Sequence, residues 1–150
     1  MFTFKENHNP MIFLVLINTV IFIMMSFVHV YWAIMGNLGR SGVLPTLHDG
    51  NPVIEPGVLG TFLIAAFLGI CAFITIGSLD IYDALIPHDV IKYATFVIAI
   101  VFLIRAIGDF KFVGFFKKIK GTVFAQKDNR YYSPLCTFIG LSSIVIVLLY

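Results

Sequence analysis

Charged side chains are scarce in this sequence and make up only 12% of its 150 residues, against roughly 25% in ordinary soluble domains. Hydrophobic side chains reach 59%. A water-soluble chain of this length exposes too much of its surface to hide so many of them. The composition therefore excludes a soluble domain and indicates one domain whose outer surface faces lipid.

Other residues are too few or too scattered for several kinds of function. A net charge of only +2 gives little support for nucleic acid as a partner. The two cysteines, Cys71 and Cys136, lie far apart and form no CxxC or metal-ligand spacing. A haem needs axial ligands on facing helices, but His29 is the only histidine well inside an apolar run. We therefore predict no metal and no cofactor.

Four apolar runs are each long enough to cross a hydrocarbon core, which takes about 20 helical residues. They cover residues of about 11–35, 58–79, 89–107 and 134–150. Asp89 is a predicted N-cap, and so is Ser133, because a proline follows it. The first run is too long for a cleaved signal peptide. The predicted fold class is all-α, a polytopic transmembrane four-helix bundle that forms a single domain over residues 1–150.

Basic residues are unequally divided between the two sides of the predicted bundle. Seven of them lie in the loops after the first and third spans, whereas Lys5 and Lys92 are the two on the other side. Cytoplasmic loops carry an excess of Lys and Arg. We therefore predict a protein of the cytoplasmic membrane with both long loops in the cytoplasm and both termini outside.

Polar residues inside a span are costly, so each needs a partner or a purpose. The alternating directions of the spans bring several to similar depth at the cytoplasmic end: His29, Tyr31, Trp32, Arg105, Asp109, Tyr132 and Cys136. In one interpretation they line a pocket where Arg105 binds an anionic or carbonyl group and His29 or Asp109 moves a proton. In the other, Arg105 forms an ion pair with Asp109 four residues later, and the aromatic residues form an interfacial belt.

The segment after the third span combines phenylalanine with lysine. Its apolar residues recur with the spacing of one helical face: Phe112, Phe115, Phe116, Ile119 and Val123. We predict an interfacial amphipathic helix between the third and fourth spans, with Gly114 as a candidate hinge. Its lysines are predicted to bind anionic headgroups at the membrane surface: Lys111, Lys117, Lys118 and Lys120. Alternatively, they only fix the topology.

Two blocks of residues carry a resemblance to a known family. The first runs from His29 through Tyr31-Trp32-Ala33 to a glycine-rich loop, and the second runs from Arg105 through Asp109 to Tyr132-Ser133-Pro134-Leu135-Cys136. In these blocks the chain resembles the small bacterial four-helix membrane proteins grouped as domain of unknown function 3995. Gly36-Asn37 stands where members often have paired glycines. The resemblance implies the architecture and a bacterial origin, but no reaction.

Three functions remain open. The leading hypothesis is that the cytoplasmic end binds a lipid, a quinone or a partner membrane protein, with membrane lipids and a second copy of the chain among the partners. The second is a small membrane-embedded enzyme that acts on a lipophilic substrate, with Arg105 as charge stabiliser. The third is a transporter subunit, which would need to oligomerise because four helices enclose only a thin pathway.

Overall fold

The computed structural model describes residues 8–36, 43–47, 49, 51–53 and 55–150. Its elements in chain order are α1 (His8–Met35), α2 (Val58–Gly77), α3 (His88–Ile107), α4 (Val123–Lys127) and α5 (Ser133–Leu149), with a π-helical turn over Asp128–Tyr132 that joins α4 to α5. This part of the chain contains no strand, and one isolated bridge pairs Thr46 with Pro52 before α2.

Within these described ranges, four helical segments are long and apolar enough to cross a membrane: Pro10–Met35, Val58–Gly77, His88–Ile107 and Val123–Leu149. They confirm the predicted all-α fold with four transmembrane helices. Large apolar side chains cover their outer faces, and Phe27 and Leu63 for example are 68% and 62% exposed. A surface of this kind suits hydrocarbon rather than water, and helices satisfy their own backbone groups there. The chain is therefore a multi-pass membrane protein.

The spans pack mainly as two antiparallel pairs, α1 with α2 and α3 with α5. Small residues allow the close approach within each pair. Ser26 on α1 donates a hydrogen bond of 2.8 Å to the carbonyl oxygen of Ala65 on α2. On α5, a Cβ added at Gly140 would lie only 2.7 Å from the Leu103 side chain of α3. The two pairs are joined by a buried apolar core that includes Phe22 and Phe102, whose rings meet edge to face.

The fourth span is longer than predicted. It begins at Val123, where the Thr122 hydroxyl oxygen accepts from the Ala125 amide at 3.1 Å. Ser133 is not an N-cap, because its backbone is helical and the helix runs through it from the π-helical turn. Pro134 cannot donate a backbone hydrogen bond, and a π-helical turn just before it changes the pairing there. Ser133-Pro134 therefore follows an irregular turn inside the fourth span and does not begin the helix.

The predicted N-cap of the third span is also displaced. The helix α3 starts at His88 with Pro87 as its N-cap, so the prediction for Asp89 is wrong by two residues.

The predicted interfacial helix is wrong. Residues 108–122, which we call the basic loop, contain no helix. Gly108, Gly114 and Gly121 all have positive φ, which stops a right-handed helix at each of them. The loop folds back on α3, since the Phe115 amide donates to the Ala106 carbonyl oxygen at 2.9 Å. Gly114 is buried in that contact, so the prediction of a hinge there is also wrong. The helical spacing of the phenylalanines was coincidental.

The two ends of the bundle differ in charge. At the acidic end, the connection from α2 to α3 carries Asp80 and Asp83, and Asp89 lies in the first turn of α3. At the basic end, the last turns of α1 and α3 meet the first turns of α2 and α4 beside the basic loop. The side of the membrane that each end faces stays a prediction.

Candidate ligand pocket at the basic end

A pocket of about 530 Å³ lies at the basic end, among residues of all four spans. Most of its lining is apolar and includes methionine, valine, leucine and phenylalanine side chains, among them Val101 and Phe102 of α3. Its polar or reactive lining groups are His29, Trp32, Arg105, Tyr132 and Cys136. Small-molecule sites are commonly concave, of about 300–1,000 Å³ and mostly apolar with a few convergent polar groups. This pocket has those properties.

His29 and Trp32 line the pocket from one face of α1. The His29 Nδ1 lies 2.7 Å from the Met25 carbonyl oxygen one turn earlier. A carbonyl oxygen can only accept, so Nδ1 must carry the proton, and in a neutral ring Nε2 is then an acceptor. The Trp32 ring packs edge to face against the imidazole, with 5.1 Å between the ring centroids. These contacts fix the orientation and tautomer of the imidazole.

Arg105 lines the pocket from the last turn of α3 and forms an ion pair with Asp128. Its Nη2 donates to Asp128 Oδ1 at 3.0 Å. The second terminal nitrogen, Nη1, is buried and has no hydrogen-bond partner among the described residues. A buried donor without an acceptor is costly, and a charged one more so. The guanidinium is therefore held in place on one side and unsatisfied on the other.

Asp128 is shared by a second cation, Lys117 of the basic loop. Its Oδ2 accepts from Lys117 Nζ at 2.8 Å and from the Gly114 amide at 2.9 Å. Both side chains are almost fully buried, at 1% and 0% exposure. Lys117 also donates to the Gly114 carbonyl oxygen at 2.7 Å and to the Asn129 side-chain oxygen. The result is a charge triad, Arg105–Asp128–Lys117, that joins α3, the basic loop and the π-helical turn; Asp128 and Lys117 are buried, and the Arg105 side chain is 34% exposed.

Gly114 makes the triad possible because its backbone passes so close to α3. A Cβ at this position would lie 2.3 Å from the Ile107 carbonyl oxygen. Only glycine combines that approach with a φ of 86°. The amide and carbonyl of Gly114 then point at Asp128 and Lys117, respectively. The local sequence thus sets the position of the charges.

Five of the seven residues predicted for the polar cluster line this pocket: His29, Trp32, Arg105, Tyr132 and Cys136. Tyr31 is 51% exposed and does not line it. Asp109 does not line it either, and the predicted Arg105–Asp109 ion pair is wrong because Arg105 pairs with Asp128. The reason is that α3 ends at Ile107, so Asp109 is outside the helical register that the pairing assumed. A functional role for these residues stays a prediction.

Asp109 has a local structural role. One of its carboxylate oxygens accepts from the amides of Lys111, Phe112 and Val113, at 2.7–2.9 Å. Burial alone would raise the pKa of Asp109, but these backbone hydrogen bonds favour the carboxylate and bring its pKa below the usual value. A carboxylate stabilised in this way is a poor proton shuttle. The role predicted for Asp109 in moving a proton therefore has no support in the geometry.

The four lysines predicted to bind the membrane surface divide into two kinds. Lys117 is buried in the charge triad, so its predicted surface role is wrong. Lys111, Lys118 and Lys120 are exposed on the basic loop, near the exposed rings of Phe110 and Phe116. Their binding to anionic headgroups stays a prediction.

The sequence does not reveal the role of Asp128, and it assigns Lys117 to the membrane surface instead of to the charge triad. A fourth span that starts at Ser133 leaves Asp128 in a loop. Thr122 is the available signal for an earlier start, since it is a favoured N-cap residue type and no glycine or proline follows it before Pro134. No local signal pairs Lys117 with Asp128, because the contact depends on how the basic loop folds back.

In the described part of the chain, one group of side chains has metal-ligand spacing, and it lies at the acidic end. The ligand atoms of Asp80, Asp83 and His88 are within 4.8 Å of one another, but all three residues are exposed. The His88 ring also stacks on Tyr150 at 3.9 Å between centroids. This group is separate from the pocket, and because exposed acidic groups commonly cluster without a metal, its spacing alone does not identify a metal site.

Comparison with known proteins gives one match. No curated protein and no solved structure matches the chain. The model of a family described as a protein of unknown function, DUF3995, matches residues 22–143. The matched range contains every residue of the charge triad and all of the polar groups that line the pocket. The chain therefore belongs to the DUF3995 family of proteins of unknown function.

Proposed function

We propose that this protein binds a lipophilic small molecule, such as a lipid or a quinone, in the pocket at the basic end. The observation that carries the proposal is the pocket itself, an apolar cavity of about 530 Å³ with a few polar groups on its wall. Phe67 and Val101 of its lining are 44% and 40% exposed on the outer surface of the spans, so the pocket opens toward the hydrocarbon from which a lipophilic ligand would enter.

The polar groups on the wall support an oriented ligand. Arg105 offers hydrogen-bond donors, and the His29 tautomer offers an acceptor at Nε2. The apolar part of the ligand would contact the methionine, valine and phenylalanine side chains. A molecule with a hydrocarbon tail and an oxygen-bearing polar end fits this division.

A membrane-embedded enzyme is the alternative. Among the described groups on the wall, His29 has the side chain used most often as a general base. The two carboxylates that could orient His29 for this chemistry already have other partners. Asp109 accepts from backbone amides, and Asp128 belongs to the charge triad. The binding proposal needs no proton transfer, so it does not require any of these residues to act as a general acid or base.

The proposal is tested by purifying the protein in a mild detergent and identifying what is bound by mass spectrometry and absorbance. Val101→Phe fills part of the pocket from α3, and Val97→Phe is the matched control one turn earlier. Both valines are exposed, at 40% and 59%, and only Val101 lines the pocket. We expect one lipophilic compound in near-stoichiometric amount in the wild type and the Val97 variant, and much less in the Val101 variant. Equal amounts in both variants, or no bound compound in the wild type, would contradict the proposal.

We also propose that the basic end faces the cytoplasm, since the exposed lysines of the basic loop follow the positive-inside rule. Fusions after Tyr150 to alkaline phosphatase and to green fluorescent protein test this orientation. Phosphatase activity without fluorescence is the expected result, and the reverse would overturn it.

A further inference from the structure

We infer that the pocket selects an amphiphile whose polar end is an oxyanion, a carboxylate or a phosphate. The inference rests on the proposed function, because it names the ligand class for the same pocket. It follows from a count of the charges in the triad and of the hydrogen bonds that each of them already makes.

Lys117 is fully used within the protein. An ammonium group has three N–H donors, and those of Lys117 go to the Gly114 carbonyl oxygen, Asp128 Oδ2 and the Asn129 side chain. Its side chain is only 1% exposed. Lys117 therefore cannot bind a ligand, and its charge is opposed directly by Asp128 at 2.8 Å.

Asp128 has little capacity left for Arg105. Its Oδ2 already accepts from Lys117 and Gly114, so Arg105 shares only Oδ1, through a single hydrogen bond from Nη2. A guanidinium can offer a carboxylate two parallel bonds, but here the second terminal nitrogen has no acceptor in the described part of the chain. The triad thus has two positive charges and one negative charge, and the excess charge is on the residue that lines the pocket.

No other described group on the pocket wall cancels that charge. The lining contains no aspartate or glutamate, and its remaining polar members are His29, Trp32, Tyr132 and Cys136. Lys127 and Arg130, which flank Asp128 in the sequence, are also basic. An excess charge is much more costly beside an apolar wall than in water. An oxyanion at the polar end of the ligand would neutralise it and supply the acceptor that Arg105 lacks.

The apolar lining indicates that the rest of the ligand is a hydrocarbon chain. A free inorganic phosphate would gain nothing from these walls, whereas a fatty acid or an alkyl phosphate would bury its tail there. Both sources share one chemistry, an oxyanion on a hydrocarbon chain. A neutral quinone or alcohol would bury a similar tail without neutralising the excess charge.

Trp32 provides a direct readout, because it is the only tryptophan in the sequence and it lines the pocket. A brominated fatty acid bound there would quench its fluorescence. Competition is then measured with palmitate, hexadecyl phosphate and hexadecanol, which have the same tail and differ at the polar end. In the wild type we expect both anions to displace the probe at concentrations about tenfold or more below that of hexadecanol. The ratio of palmitate to hexadecyl phosphate then distinguishes the two sources of the oxyanion.

Two substitutions of Arg105 sharpen the result. Arg105→Lys keeps the charge and should keep most of the preference for anions, whereas Arg105→Gln should remove it. Lys118→Gln is the control, since it removes an exposed charge from the same end of the bundle and should leave the preference unchanged. Should Arg105→Gln not fold, the wild-type comparison of palmitate with hexadecanol decides alone.

The possible failures are distinguishable. If hexadecanol competes as well as the two anions, the inference is overturned while the proposed function stands. If no amphiphile quenches Trp32, or Val101→Phe leaves all quenching unchanged, the proposed function fails as well. A preference for anions that Lys118→Gln abolishes and Arg105→Gln preserves would also overturn the inference, because it would assign the selectivity to the surface of the loop.

Discussion

At each end of this bundle a carboxylate lies beside a basic side chain, but the two contacts are buried to very different degrees. At the acidic end, His88 Nδ1 lies 3.5 Å from Asp80 Oδ1, and the two side chains are 45% and 54% exposed. At the basic end, Asp128 and Lys117 are 0% and 1% exposed and are joined by Arg105. Water screens the first pair, whereas the second depends on the protein for all of its hydrogen bonds.

The two ends differ in how much structure surrounds their charged side chains. Exposed pairs contribute little to stability, and the one described residue with positive φ at the acidic end is Asp80, with a φ of 60°. A buried charge is stable only when its partners are fixed, and the basic end has three glycines with positive φ, a capped loop and a π-helical turn around its triad. The acidic end therefore tolerates substitution, and the basic end should not.

The largest expected effect is at Asp128. Asp128→Asn leaves the buried Lys117 and the half-buried Arg105 without a counter-charge, and we expect a loss of about 3–5 kcal/mol in the free energy of unfolding. The control, Asp80→Asn at the acidic end, should cost at most about 1 kcal/mol. Unfolding by sodium dodecyl sulfate in mixed micelles measures both.

A double variant separates charge from packing at the same site. Asp128→Asn combined with Lys117→Met removes the unpaired ammonium and should recover part of the stability lost by Asp128→Asn alone. If the double variant were less stable than either single variant, the triad would not be the source of the difference between the ends.

The next effect in size concerns the backbone of the basic loop. Gly114→Ala places a Cβ against the Ile107 carbonyl oxygen and also strains a positive φ, so we expect a loss of about 3 kcal/mol. Gly121→Ala is the matched control, because Gly121 has a φ of 92° but no atom within 4 Å of the added Cβ. It should lose only the conformational part, about 1 kcal/mol. Equal losses in the two variants would show that the close approach at Gly114 contributes nothing.

The spans could be predicted from the sequence, because hydrocarbon imposes a minimum length and an apolar composition that each run displays by itself. Five members of the polar cluster could also be predicted, since the alternating directions of the spans fix their depth. His29 and Arg105 are examples. These predictions depend only on the position of each residue along the membrane normal. They do not require knowing which helices contact each other.

The charge triad could not be predicted in the same way. The spacing of four residues predicts an ion pair between Arg105 and Asp109 on one helix. However, Gly108, with a φ of 91°, lies directly after α3, so the two residues do not share a helix. The actual partner, Asp128, is 23 residues from Arg105 in sequence. It reaches Arg105 because the basic loop folds back and the fourth span starts early. Pairings of that kind are set by tertiary structure, and a helical spacing rule does not describe them.

A smaller effect is expected at Asp109, an exposed carboxylate at the basic end. Asp109→Asn weakens the acceptor for three backbone amides and should cost about 1 kcal/mol, as for the loss of a helix cap. Because the pKa of Asp109 is lowered in the folded protein, its stabilisation is complete above the ordinary aspartate pKa and is lost as the pH falls through the lowered value. The difference in stability between wild type and variant should therefore be constant near neutral pH and shrink in acid. A difference that grew on acidification would contradict this assignment.

The smallest effect is expected midway between the two ends, where polar groups are neutral. Asn18 on α1 is fully buried and bonds to two serines of α5, accepting from Ser142 Oγ at 2.9 Å and donating to Ser143 Oγ at 3.3 Å. Hydrogen bonds between transmembrane helices contribute only about 0.6 kcal/mol on average. Asn18→Ala, Ser143→Ala and the double variant should therefore give a coupling energy of that size. Unfolding in mixed micelles measures it. A coupling as large as that between Lys117 and Asp128 would mean that burial alone, and not charge, sets the cost of breaking a contact, and the contrast between the two ends would then need another cause.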